Sequence, residues 1–75
     1  MTLSSVSEGK TVKILKISCN KRIISILNDF GIIENTLIKI IKKAPFKGAI
    51  MVYSRGFTFA IREKDARLIE VAYAF

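Results

Sequence analysis

Residues 36–61, TLIKIIKKAPFKGAIMVYSRGFTFAI, decide how this chain folds. The first eight, TLIKIIKK, are rich in Ile and end just before Pro45, which has no N–H to give to a strand ladder. Phe46-Lys47-Gly48 then makes a turn, and residues 49–53 (AIMVY) read as the next strand. Ser54-Arg55-Gly56 is a tight turn with Gly56 at positive φ, and residues 57–61 (FTFAI) return as the second arm of a hairpin. Phe57 and Phe59 stand two apart, so they share one face, and core packing is the simplest account of both.

Working outward, Thr11–Ile17 (TVKILKI) mixes β-branched residues with Lys13 and Lys16 after the turn residues Ser7-Glu8-Gly9, which predicts a half-exposed first strand. Asn20 then offers a helix N-cap. Ile23, Ile26, Leu27 and Phe30 follow at spacings of three and four until Gly31 stops the helix. After the 36–61 block, EKDA (residues 63–66) suits one helical turn and LIEV (residues 68–71) a last strand. Five short strands and two helical pieces make a mainly β chain. A small, partly closed barrel hides the edges that an open sheet would expose, with alternating Ile, Leu, Val and Phe lining its interior. No repeat or linker interrupts the chain, so residues 1–75 form a single domain.

At 75 residues and 51% apolar content, such a domain buries about 60–65% of the surface of its unfolded chain and leaves little room for a deep pocket. No apolar run approaches the roughly 20 residues that cross a bilayer, and the first residues lack the pattern of a secretory signal; the expected compartment is the cytoplasm, with no direct membrane insertion. Cys19 stands alone and the chain contains no His, which removes an internal disulfide, the familiar zinc sites and Cys/His or Ser/His catalysis. Glu63, Asp65 and Glu70 are interspersed with Lys64 and Arg67, a pattern of a solvated charged turn rather than of a cation site. The glycines at 9, 31, 48 and 56 are isolated and form no phosphate-binding loop. No catalytic residue, cofactor or metal ligand is assigned.

Thirteen Lys and Arg against six Asp and Glu give a net charge of +7, which points to an acidic partner, membrane phosphates or nucleic acid. The bases are scattered along the chain, and although Tyr53, Phe57 and Phe59 on the third and fourth strands offer rings for base stacking, core packing accounts for the two Phe more simply, so a free-standing nucleic-acid-binding barrel is the alternative rather than the main reading. The polar helix face carries Lys21, Arg22, Ser25, Asn28 and Asp29, and Ile24, off the apolar stripe, gives that face an apolar anchor. The candidate partner surface is therefore Arg22, Ile24, Ser25 and Asn28 on the helix, with Lys47 and Arg55 in the two turns of the strand block.

The order of these pieces resembles the FeoA family from end to end. Leu3 and Gly9 precede the first strand, and the helix runs from Arg22 to Gly31-Ile32. Ala44-Pro45-Phe46-Lys47-Gly48 matches the following loop, and the close is Arg55-Gly56, Phe59-Ala60-Ile61-Arg62 and Ala66-Arg67-Leu68-Ile69-Glu70-Val71. Glu34-Asn35 stands where the family usually has Pro-Gly, a departure that Asn35 accommodates because Asn enters left-handed backbone readily. The resemblance implies an SH3-like barrel with an inserted helix after the first strand and a helical turn before the last. It implies a cytosolic, non-enzymatic accessory of a membrane ferrous iron transporter that bears a GTPase domain. A related SH3-like domain at the C-terminus of iron-dependent repressors is the nearest competitor. Tyr73 and Phe75, two aromatics at the end of the chain, suggest self-association.

Overall fold

The computed structural model describes residues 1–74. A 3₁₀ turn at Leu3–Ser5 opens the chain, followed by β1 (Thr11–Ile17), α1 (Lys21–Asp29), β2 (Leu37–Lys43), β3 (Ala49–Ser54), β4 (Phe57–Arg62), α2 (Glu63–Ala66) and β5 (Ile69–Tyr73). The strands form one antiparallel sheet in the order β4-β3-β2-β1-β5, the mainly β, SH3-like arrangement with its helix inserted between β1 and β2. The last strand runs two residues further than the sequence suggests, so Ala72 and Tyr73 pair with Lys13 and Val12.

Two irregularities bend this sheet. Between Ile14 and Lys16 the pairing of β1 with β5 shifts by one residue, and between Ile40 and Lys42 the pairing of β2 with β3 does the same. Strict alternation from Val12 and Ile14 would carry Lys16 inward; the extra residue, Leu15, returns it to solvent. In β2 the extra residue is Ile41 and the lysine kept outside is Lys42. Each bulge sharpens the local twist and bends its strand, which is how a short sheet curls over one core.

That core consists of branched aliphatics. Val12, Ile14, Ile38, Ile40, Val52 and Ile69 are fully buried, and Leu3 and Val6 from the opening segment join them. Lys43 fastens this segment: its Nζ donates to the Ser4 and Val6 carbonyls at 2.8 and 3.2 Å, while its backbone N–H donates to the Glu8 carboxylate at 2.8 Å. Among the described residues no Phe lies fully inside, contrary to the expected lining. Phe57 is 60% exposed, and Phe59 only leans on the core from β4. Phe57 pairs with Ser54 on the last rung of the hairpin, next to its turn, and no further residue of β4 lies beyond it.

Helix α1 begins and ends as its sequence suggests. Asn20 Oδ1 accepts the Ile23 N–H at 2.9 Å. At the other end Gly31 takes φ 78°, with the Gly31 N–H on the Asn28 carbonyl at 2.9 Å and the Ile32 N–H on the Leu27 carbonyl at 2.8 Å. This double closure is a Schellman motif, and it drops Ile32 into the core. The helix buries only part of the stripe its spacing suggests and adds Ile24 to it. Leu27 is buried and Ile23 and Ile24 pack on the core, whereas Ile26 and Phe30 remain 44% and 46% exposed. The Ile23-Ile24-Leu27 side faces the barrel because the chain enters from β1 and leaves through Ile32, and both ends hold the helix at that rotation.

Asn35, at φ 73°, holds the left-handed position expected of it, with its N–H on the Ile14 carbonyl at 2.7 Å. The β3–β4 hairpin closes with Arg55 at φ 55° and Gly56 at φ 88°, two left-handed residues whose twist matches the strands they join. Replacing Asn20 with Ala removes the α1 cap, and the expected cost is about 1 kcal/mol. A urea titration followed by circular dichroism should show a lower midpoint with an unchanged slope.

Candidate functional site

The surface with the most chemistry lies where α1 crosses the β4 edge. Asn20, Arg22, Ile23, Ile26 and Leu27 from the helix face Ala60, Ile61 and Arg62 of β4 and Lys64 and Asp65 of α2 across a shallow groove of about 400 Å³. Leu27 and Ile61 form its buried floor, the half-exposed Ile26 its apolar wall, and Arg22, Arg62 and Lys64 its basic rim. Asp65 is the one carboxylate in the lining, and among the described residues the one salt bridge runs from Arg67 to Glu63 at 2.9 Å, so these three cations have no carboxylate within bonding distance. A groove of this make suits an acidic segment that carries an aliphatic side chain.

Farther along the same crossing, the helix end is tied to the hairpin. Phe30 stacks on Phe59 with ring centroids 5.5 Å apart and planes 10° from parallel. The Arg55 side chain lies over Gly31 so closely that a Cβ there would come within 2.8 Å of Arg55 Nε. Glycine at 31 thus serves the left-handed turn and this close approach together, and the guanidinium sits by the negative end of the helix dipole.

Of the residues singled out from sequence, Arg22, Ser25 and Asn28 are exposed on α1, and Arg22 lines the groove. Ile24 is half-buried against the core, so the apolar residue that projects from the helix is Ile26. Arg55 belongs to the helix–hairpin clasp, and Lys47 lies in the separate β2–β3 loop. Arg62, Lys64 and Ile26 line the groove as well and are not among the residues singled out from sequence. They come from segments far apart in the chain, and Ile26 was absorbed into an apolar stripe that the actual rotation of the helix leaves half outside.

Cys19 lies beneath one end of the groove, 7% exposed, with its thiol donating to the Asp65 carbonyl at 3.5 Å. Burial, and after it the Asp65 carboxylate, pushes this thiol above its ordinary range. Glu63 is held by Arg67, and among the described residues no three of His, Cys, Asp and Glu converge on a point where they would hold a metal. No helix is long and apolar enough to cross a membrane among those residues. Tyr73 is exposed at the end of β5, and Phe75 lies outside the described residues.

The FeoA domain model matches residues 1–73. The chain belongs to the FeoA family. It superposes on the FeoA protein of Chlorobium tepidum with a TM-score of 0.94 at 23% identity, covering all of this chain and 71% of that one. The FeoA-like protein of Clostridium acetobutylicum gives 0.85 at 28% identity, covering all of this chain and 87% of that one. A manganese-dependent transcriptional repressor matches at 0.86 and 18% identity; all of this chain is covered but only 41% of the repressor, a likeness of fold alone. None of the curated proteins matches significantly by sequence. As a FeoA domain, the chain is one of a family of small accessory domains associated with iron transport.

The raised thiol has a pH signature. As pH climbs through the ordinary thiol range, the unfolded chain loses its Cys19 proton before the folded chain does, so the stability tied to the protonated thiol is present below that range and is lost above it. Unfolding midpoints measured from neutral to alkaline pH should fall more steeply for the native chain than for Cys19→Ala.

Proposed function

We propose that this FeoA domain is a non-enzymatic cytosolic accessory of a membrane ferrous iron transporter, and that it docks on the transporter's cytosolic GTPase domain through the α1–β4 groove. The observation that carries the reading is the groove itself: a basic rim of Arg22, Arg62 and Lys64 around an exposed aliphatic, Ile26, on a member of an iron-transport family. Ser25 and Asn28 are exposed on α1 but are not among the residues that line the groove.

Docking regulates a partner only if the two sides fit better in one of the partner's conformations than in another. The groove is suited to that role because its walls come from different elements. A partner segment seated there touches α1, β4 and α2 at once, and it loses contacts when its own shape changes. The Phe30–Phe59 stack and the Arg55–Gly31 contact tie the end of α1 to the hairpin, which favours a surface formed before the partner arrives and a small ordering cost.

Calorimetric titration of the chain into the isolated GTPase domain of the same organism's ferrous iron transporter, with and without a GTP analogue, tests the reading. We expect micromolar binding that depends on the nucleotide and weakens about tenfold or more in Ile26→Glu, with the unfolding midpoint retained. Ile26 is the residue to change because Ile24 packs on the core, and a carboxylate there would confuse lost folding with lost binding. Unchanged affinity in Ile26→Glu and Arg22→Glu would rule the groove out as the docking surface.

A further inference from the structure

We infer that the β2–β3 loop, together with the outward faces of the strands it joins, is a seat for an anionic phospholipid surface, with Phe46 entering the headgroup layer. The inference does not rest on the transporter reading.

Phe46 is completely exposed, the only described residue among the large hydrophobics at 100%. It sits in a turn closed by the Gly48 N–H on the Pro45 carbonyl at 3.3 Å, and both central residues, Phe46 and Lys47, have φ 57°. Asn-Gly is the relaxed choice for such a pair, and a bulky side chain is among the worst. The chain thus holds a large apolar residue in a disfavoured backbone conformation at a place where the domain itself gives it nothing to pack against. An outlier of this kind points toward function, since the surrounding fold gains nothing from it.

The neighbouring strands supply the complement. Register places Lys42 opposite Met51 and Lys39 opposite Tyr53, so ammonium groups alternate with partly exposed apolar side chains on one outer face. Strands β1 to β4 contain no Asp or Glu. Of the carboxylates beside the loop, Glu63 is paired with Arg67 at 2.9 Å, and Glu8 accepts the Lys43 N–H at 2.8 Å.

A lipid surface suits this arrangement better than a protein one. A stable protein interface takes about 800 Å² from each side, and a projecting loop of five residues offers only a part of that. A headgroup layer is soft and repetitive and requires no matching shape. It favours lysines whose stems lie along apolar neighbours and an aromatic that reaches beyond them. With one ring and a few lysines the attachment is reversible, lying on the membrane without crossing it.

Vesicle co-sedimentation of the full chain tests the inference, using phosphatidylcholine alone and phosphatidylcholine mixed with phosphatidylglycerol. We expect binding to the mixed vesicles only, weakened by salt, and reduced about fivefold by each of Lys42→Gln and Lys47→Gln. Phe46→Asn should cut it roughly tenfold or more while holding or raising the urea midpoint, because Asn relaxes the left-handed turn. Absence of binding to the mixed vesicles would overturn the inference. So would binding that Phe46→Asn leaves unchanged, or binding to a DNA duplex that ignores Phe46 and replaces binding to vesicles. Because these measurements use the chain alone, their failure leaves the groove and its GTPase partner to be judged by calorimetry.

Discussion

The barrel depends on β1 serving two ladders at once, pairing with β2 on one side and β5 on the other while Val12 and Ile14 point into the core. A strand in that position must bend, because its neighbours diverge around a core too small for a flat sheet. The bulge at Leu15 provides the bend in β1, and the one at Ile41 repeats it in β2. Without them the pleat would carry Lys16 and Lys42 inward, and burying an unpaired ammonium would cost several kcal/mol. The bulges therefore reconcile the curvature with the charge pattern, and the high lysine content of β1 and β2 becomes compatible with an interior that is aliphatic apart from Cys19 and Ser54.

Helix α1 is placed by the same economy of contacts. It is only nine residues long, and a helix of that length is marginal unless its ends are satisfied and one side is buried. Asn20 closes one end and the Gly31-Ile32 pair the other, while the Phe30–Phe59 stack and the Arg55 side chain hold it to the hairpin. The groove beside it is a by-product of this geometry. A short helix crossing a sheet edge leaves a trough, and α2, forced to turn sharply after β4, lines the trough with Lys64 and Asp65.

Much of this was legible in the chain. Alternating β-branched residues marked the strands, Asn20 and Gly31 bounded the helix, and Asn35 and Gly56 marked positions that require left-handed backbone. These signals are local, since each depends on φ/ψ preference or on hydrogen bonds a few residues apart. The illegible features are those that depend on rotation and distance. Ile23, Ile26, Leu27 and Phe30 fitted a helical apolar stripe, yet the attachment of α1 at both ends turned Ile24 toward the barrel beside Ile23 and Leu27 and left Ile26 and Phe30 half outside. Phe57 and Phe59 shared a face by spacing, but only Phe59 packs against the core, while Phe57, next to the hairpin turn, stays 60% exposed.

By itself, then, the sequence determined the number and order of the elements, the mainly β class, the family and the excess of positive charge, because each follows from residue type and short-range spacing. Only the tertiary structure decided where that charge meets apolar surface. Arg22, Ile26, Arg62 and Lys64 come together across a helix and a sheet edge, and Phe46 projects from a strained turn beside Lys42 and Lys47. The physical reason is that a surface is made by neighbours in space, and in this fold those neighbours are chosen by strand register, two bulges and the rotation of one short helix.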